Sequence, residues 1–268
     1  MVDNATTFRQ LHQNTTPLRL PNAWDAGSAR LFESLGAPAV ATTSAGVAWA
    51  LGCGDGRLLA FSEVTGLASR MARIIKVPLS FDIENGYSDD PKVVASHALR
   101  LAELGIAGIN IEDGRDEPAL LASKIEAIRE AVSKANVDLF VNVRCDVLLA
   151  SLVEKPKLID ETIDRGKLYA RVGADGFFVP GIVQSQDIER VASAISLPLN
   201  VMAWPGLAAA TELGRLGVRR LSAGSAISQV LWARAEELAR AFLQAGDSGP
   251  LSEAAMPYSR LQSLFPKT

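Results

Sequence analysis

Three carboxylates stand where a short apolar run hands over to a loop. Asp82 and Glu84 lie in Phe81-Asp82-Ile83-Glu84-Asn85-Gly86-Tyr87, and Glu112 lies in Asn110-Ile111-Glu112-Asp113. Residues two apart on a strand point the same way, so Asp82 and Glu84 are expected to share a face with Ile83 turned from it. Acids gathered at one mouth repel one another, and a cation resolves the repulsion. An oxygen-only donor set without His or Cys favours Mg2+ or Mn2+ over zinc. The alternative for Asp82 and Glu84 is a helix cap or a pairing with arginine.

Arg144 follows Leu139-Phe140-Val141-Asn142-Val143 and is expected at the same mouth. Its guanidinium is a planar fork suited to a substrate carboxylate. It could equally pair with Asp82 or Glu112, and the two roles do not exclude each other. Ser44-Ala45-Gly46-Val47 is a small-residue turn whose N–H groups suit an anion or an enolate oxygen, or it is an ordinary loop. Ser222-Ala223-Gly224-Ser225 reads as a phosphate cradle or a plain N-cap.

Scarcity narrows the chemistry further. The chain has two His and two Cys against 30 acids. Neither His12, in a polar N-terminal segment, nor His97, in a helical stretch, has a G-x-S-x-G nucleophile to serve, which argues against a triad hydrolase. No Lys stands at a strand end, so a Schiff-base aldolase is disfavoured. Cys145 would point away from Arg144 and is read as core; Cys53 has no base beside it.

These residues need a scaffold that brings strand ends together. Helical stretches repeatedly close on a glycine before a short apolar run, as in Leu35-Gly36-Ala37, Leu104-Gly105-Ile106, Val172-Gly173-Ala174 and Leu216-Gly217-Val218. Glycine there suits the left-handed residue after a helix. Strands are expected at 18–22, 39–43, 79–83, 108–112, 139–144, 176–179, 199–202 and 219–222. Most are continuously apolar, as in a parallel sheet covered on both faces. The stretch 119–134 reads as an amphipathic helix with Leu120, Ile125, Ile128 and Val132 inward and Lys124 outward.

Eight strands alternating with helices over about 250 residues is the pattern of a (β/α)8 TIM-type barrel. The turn after the first strand, Asn22-Ala23-Trp24-Asp25-Ala26-Gly27, is no dinucleotide fingerprint, which disfavours a doubly wound sheet. The expected division is a barrel over 1–246 and a tail over 247–268 with a short helix near 251–264.

The 268 residues are 48% hydrophobic and 21% charged with a net charge of −3. This composition excludes a disordered chain and argues against nucleic-acid binding. No apolar run reaches the roughly 18–20 residues of a membrane span. The first residues lack the features of a signal peptide. A reduced, cytoplasmic protein is expected, with no nucleic-acid or membrane partner.

Six ordered motifs resemble the isocitrate lyase/phosphoenolpyruvate mutase superfamily. They are Pro21-Asn22-Ala23-Trp24-Asp25-Ala26-Gly27-Ser28-Ala29-Arg30, Thr43-Ser44-Ala45-Gly46-Val47-Ala48 with Leu51-Gly52-Cys53-Gly54-Asp55, Asp82-Ile83-Glu84-Asn85-Gly86-Tyr87, Ile111-Glu112-Asp113, Asn142-Val143-Arg144-Cys145-Asp146 and Phe177-Phe178-Val179-Pro180-Gly181. The resemblance spans about residues 8 to 245. It implies an oxo acid bound with Mg2+ (or Mn2+) and an enolate formed by breaking a C–C or P–C bond.

By carry-over, Asp82, Glu84 and Glu112 would hold the metal directly or through water, with Asp55 nearby. Backbone N–H groups of Ser44, Ala45, Gly46 and Val47 would steady the enolate oxygen, and Arg144 would take the substrate carboxylate. Ser44, Gly46 and Trp24 would join Arg144 in the catalytic set, and Asn200 would contact substrate. The family also implies a homo-oligomer, dimer or tetramer, in which the eighth helix is exchanged between subunits; the sequence leaves that exchange open.

One departure is informative. The C–C lyases of the family carry a K-R/K-C-G-H gating loop after the I-E-D segment, where this chain has Gly114-Arg115-Asp116-Glu117-Pro118-Ala119. Isocitrate and methylisocitrate cleavage are therefore not expected. The phosphonate branch's loop pattern is also missing. The leading expectation is a Mg2+-dependent lyase acting on a small 2-oxo or 2-hydroxy di-acid by retro-aldol cleavage or decarboxylation. The alternatives are a P–C bond enzyme (phosphonomutase or phosphonopyruvate hydrolase) and an oxo-acid-binding barrel without turnover.

Overall fold

The computed structural model describes residues 4–265. Residues 1–3 and 266–268, at the outer ends of the expected barrel and tail segments, lie outside the described residues. The strands are β1 (Leu18–Leu20), β2 (Asn22–Ala23), β3 (Val40–Thr42), β4 (Leu79–Asp82), β5 (Gly108–Glu112), β6 (Phe140–Arg144), β7 (Gly176–Val179), β8 (Leu199–Met202) and β9 (Val218–Ser222). All pairings are parallel, in the order β1-β9-β8-β7-β6-β5-β4-β3-β2. β1 pairs with β9 and β2 with β3, so the ring closes across Pro21. Proline lacks the N–H that would continue the ladder, and it cuts one strand into two. The architecture is the expected (β/α)8 TIM-type barrel.

Alternation along the strands sorts the residues into two environments. Phe81, Ile109, Ile111, Val141, Val143, Phe177 and Val201 pack outward with the helices in one large buried cluster. Ser80, Asp82, Asn110, Asn142, Asn200, Arg220 and Ser222 occupy the alternate positions and are also buried. This lumen is far more polar than its outer wall. The glycines at 36, 105, 173 and 217 take φ of 85, 86, 102 and 93°, as the helix-ending pattern requires.

Three features depart from the sequence reading. In the helix Pro118–Lys134 the buried face is Leu121, Ile125, Ile128 and Val132, and Lys124 joins it. The expected face had Leu120 in place of Leu121 and Lys124 outward; Lys124 goes inward because its amine finds carbonyl and carboxylate partners there. The N-terminal segment is a helix, Asn4–Leu11, that plugs the barrel floor. Phe8 and His12 are buried against Phe140, with His12 stacked on that ring at 4.3 Å.

Third, the tail forms two short helices, Gly249–Ser252 and Tyr258–Ser263, in place of one. Proline at 257 suits only the start of the second. Arg30 Nε donates to the Leu264 carbonyl at 2.7 Å, tying the tail to the barrel. The long helix Ala226–Ala245 ends on Gly246 at φ 66°. Among the described residues, no helix is long and apolar enough to cross a membrane.

Candidate active site

A cavity of about 180 Å3 opens at the carboxyl ends of the strands. Asn22, Thr43, Ser44, Asp55, Asp82, Asn110, Arg144, Ser222 and Ser225 supply its polar lining; Ala45, Leu149, Phe178, Met202 and Trp204 supply apolar lining. Such mouths are where barrel enzymes place their chemistry.

Two of the four acids, Asp82 and Asp55, line the cavity; Glu84 and Glu112 lie outside its lining. Asp82 ends β4, and its carboxylate accepts the Glu84 N–H at 3.1 Å and the Ser44 N–H. Asp55 shares the cavity with it. Burial pushes the Asp82 carboxyl above the usual carboxylate range; the Arg144 charge opposes this and Asp55 adds to it. Glu84 does not continue the strand. It sits in the following turn at φ 51°, so the two-apart argument for a shared face does not apply. The turn instead brings its carboxylate to the Arg57 backbone N–H and the Tyr87 hydroxyl. Burial, then repulsion from Asp82 and Asp55, raises its pKa too.

Glu112 ends β5 and pairs with Arg144, Oε2 to Nη1 at 2.8 Å. Burial lifts its carboxyl to about 8, against the pull of Arg144. Arg144 is also gripped by Asp146, with Nε to Oδ1 at 2.6 Å and Nη2 to Oδ2 at 3.0 Å. Burial disfavours its charge, but Glu112 and Asp146 outweigh that and hold it protonated. Of the two roles the sequence left open for Arg144, the structure shows the pairing with Glu112, and it places the residue in the cavity wall. Two of its five N–H groups remain for a ligand.

Ser44, Ala45, Gly46 and Val47 form the first turn of the helix Ser44–Ala50, not a loop. Ser44 and Ala45 reach the cavity. Gly46 and Val47 are buried. A Cβ on Gly46 would lie 2.7 Å from Thr43 Cγ2 and 3.0 Å from Trp24 Cβ, so glycine there serves packing. Trp24 packs edge-on against Phe32 and faces a separate hollow against Ser228, Leu231 and Trp232, away from the mouth. Asn200 sits beneath the cavity, its amide held by Asn142, Ser222, Val201 O and Arg220 O. Ser225 directly precedes the helix Ala226–Ala245 and lines the cavity, though its side chain makes no cap bond.

The turn carrying Glu84 is braced from behind. Lys124 Nζ donates to the Asn85 carbonyl at 3.0 Å. His97 Nδ1 lies 2.9 Å from the Gly86 carbonyl and must carry the proton there, and its ring stacks on Phe61 at 3.6 Å. Gly86, at φ 93°, leaves only 2.5 Å between a built Cβ and Val94 Cγ1, so no other residue fits. Asp113, fully buried, accepts from the Asp146 N–H, Arg165 and Tyr169, which fixes the loop bearing Asp146.

Sequence reasoning missed Lys124, Asp146 and Asp113. The Asp two residues beyond Arg144 was the available signal for Asp146; nothing local marks Lys124. Between β5 and the helix at Pro118 only residues 113–117 intervene, so no long gating loop follows Glu112.

Asp82 and Asp55 offer oxygen donors, and among the described residues no basic side chain forms an ion pair with the buried Asp82 carboxylate. That donor set fits a hard divalent ion, which commonly takes one or two carboxylates and keeps water for the rest. Among the described residues no three His, Cys, Asp or Glu side chains are already gathered as a cage.

Comparison with known proteins agrees with this geometry. The family model for phosphoenolpyruvate phosphomutase matches residues 8–243. An uncharacterised protein of Mycobacterium tuberculosis is 37% identical over 261 residues, covering 96% of this chain and 95% of its own. An oxaloacetate decarboxylase of Pseudomonas fluorescens is 28% identical over 229 residues, covering 81% and 77%. A crystal structure from Burkholderia cenocepacia, provisionally described as a phosphonomutase, superposes with a TM-score of 0.84 at 34% identity, covering 88% of this chain and 99% of that one.

Proposed function

The chain belongs to the phosphoenolpyruvate phosphomutase family, within the PEP mutase/isocitrate lyase superfamily of lyases and mutases, and from this premise we propose that it cleaves a C–C bond of a small 2-oxo or 2-hydroxy di-acid. The observation that carries the reading is the small cavity of about 180 Å3 whose wall brings together Asp82, Asp55 and Arg144. Asp82 and Asp55 would hold Mg2+ or Mn2+, with Glu84 and Glu112 acting through water or as neighbours. The ion would supply Lewis-acid polarisation of the 2-oxo group.

The protein's own residues divide the remaining work. Arg144, clamped by Asp146, presents its spare N–H groups to a carboxylate. Ser44 and Ala45 border the place where negative charge develops. Decarboxylation of a 2-oxo di-acid releases CO2 and leaves the bond's electron pair as a pyruvate-like enolate, which protonation at carbon converts to the 2-oxo acid. Retro-aldol cleavage of a 2-hydroxy di-acid would instead remove the hydroxyl proton, form the 2-oxo acid's carbonyl directly, and leave the electron pair as the enolate of the other carboxylate fragment, which is then protonated. Decarboxylation of an oxaloacetate-like substrate needs no dedicated loop residue, which suits the short connection after Glu112. The 28% identical oxaloacetate decarboxylase supports the same choice.

A second reading, P–C cleavage, is favoured by the 34% identical phosphonomutase-like structure. The test is release of pyruvate from a panel of 2-oxo and 2-hydroxy di-acids, with Mg2+ and with EDTA. EDTA-sensitive pyruvate supports C–C cleavage. Phosphate from phosphonopyruvate would support the second reading, and oxo-acid binding with no product would leave a barrel that binds without turnover.

The protein would act as a homo-oligomer. The helix Ala226–Ala245 leaves Val230 68%, Trp232 55% and Leu243 83% exposed. Beside it lie hollows of about 320 and 460 Å3 lined by Trp24, Trp49, Leu231 and Trp232. A second copy, exchanging this helix or packing on it, would bury that surface. Exposed apolar area on this scale usually marks an interface.

A further inference from the structure

The barrel lumen holds a cation that the cavity wall does not include. Arg220, on β9, is completely buried. Its Nη2 donates to Asn110 Oδ1 at 3.2 Å and its Nε to Ser222 Oγ at 3.3 Å, while Nη1 has no partner among the described residues. Its guanidinium lies 5.8 Å from the Phe8 ring of the floor helix. Burial lowers its pKa to about 9, with Asp82 the one carboxylate pulling it back, so it stays charged at neutral pH. A buried charge without a bonded counter-ion is costly, and such groups are seldom kept for stability alone.

Both residues that hold Arg220 line the cavity above it. Asn110 is the informative one. Its Oδ1 accepts from Arg220 and also from Asn142 Nδ2 at 2.9 Å. A guanidinium only donates, so it fixes which end of the Asn110 amide points down. The remaining end, the Nδ2 donor, is what Asn110 offers to a ligand. Arg144, the one cation among the described residues of the cavity wall, is meanwhile offset by Glu112 and Asp146.

We propose that Arg220 is a positioning residue for anion binding, locking Asn110 with its amide donor toward the cavity and placing a positive charge that has no bonded counter-ion beneath the bound oxo acid. This rests on the reading of the cavity as an oxo-acid site. A bound carboxylate or enolate then meets a fixed donor and a positive floor, and the buried charge, drawn by Asp82 alone among the described carboxylates, gains a second counter-charge when the site is filled.

The test uses oxalate, a planar dianion resembling a pyruvate enolate, with the full-length protein and Mg2+ present. Calorimetry would give its Kd for the parent protein, Arg220→Met and Arg220→Lys, alongside melting temperatures. Arg220→Met should melt no lower than the parent, because it removes a buried unpaired charge, yet bind oxalate about tenfold or more weakly. Arg220→Lys, which keeps the charge and loses the fork, should fall between them, and it carries the test if the methionine variant does not fold. With an active substrate the loss should appear in KM more than in kcat. Oxalate binding by either variant as tight as the parent's overturns the proposal. Failure of the parent protein to bind oxalate overturns the oxo-acid reading itself, and this inference with it.

Discussion

Replacing His12 with glutamine should remove much of the acid sensitivity of the fold. His12 is 2% exposed, stacked on Phe140 with Nδ1 2.8 Å from the Phe8 carbonyl. Burial, and then the Arg220 charge, depress its pKa from 6.5 to about 3. Between those values the unfolded chain binds a proton that the folded chain refuses. Stability from this group is therefore complete above pH 6.5 and is lost as pH falls toward 3. At about 1.36 kcal/mol per pKa unit, the loss approaches 5 kcal/mol at the lower limit and is already about 2 kcal/mol at pH 5.

Glutamine does not titrate. At pH 7.5 the variant should be less stable by about 1–2 kcal/mol for the lost stacking. At pH 5 that gap should shrink by about 2 kcal/mol. Urea unfolding of both proteins at the two pH values measures it, and contributions from all other groups cancel in the difference. A gap that stays the same at pH 7.5 and pH 5 would refute the argument.

Other perturbations act nearer the mouth. Asp146→Ala releases two of the bonds that orient Arg144 and should lower kcat/KM about tenfold, read by steady-state kinetics on whichever di-acid is accepted. Lys124→Met leaves the Asn85 carbonyl without its donor and should cost about 1–3 kcal/mol by urea unfolding, with turnover falling as the Glu84 turn loosens; unchanged stability would show that the amine does not brace the turn. Trp232→Glu puts a charge on the exposed helix and should shift the protein to smaller species in light scattering.

The fold was largely legible because helix-ending glycines and continuously apolar strands are local signals. Strands at 108–112, 176–179 and 199–202 fall where the pattern put them. The first strand was harder, since a proline that interrupts the ladder reads like any apolar residue in a run. The site was legible as a set of residues more than as an arrangement. Asp82, Asp55, Arg144, Ser44 and Ala45 meet in one cavity. The periodicity of an ideal strand misplaced Glu84, because a strand's end is set by tertiary hydrogen bonds from Arg57, Lys124 and His97 that lie far off in sequence. Lys124 and His12 look like surface residues by type. Their burial depends on partners contributed by other elements, which no window of sequence displays.

Under the proposed function, the acids at the β4 mouth would hold one divalent ion per chain. Equilibrium Mn2+ binding, followed by the loss of the free-ion paramagnetic resonance signal, tests it directly in the parent protein and in Asp82→Asn. The expected result is one competable site per chain in the parent, displaced by Mg2+, and its loss in the variant with the fold intact. No binding by the parent, or equal binding by Asp82→Asn, would contradict it.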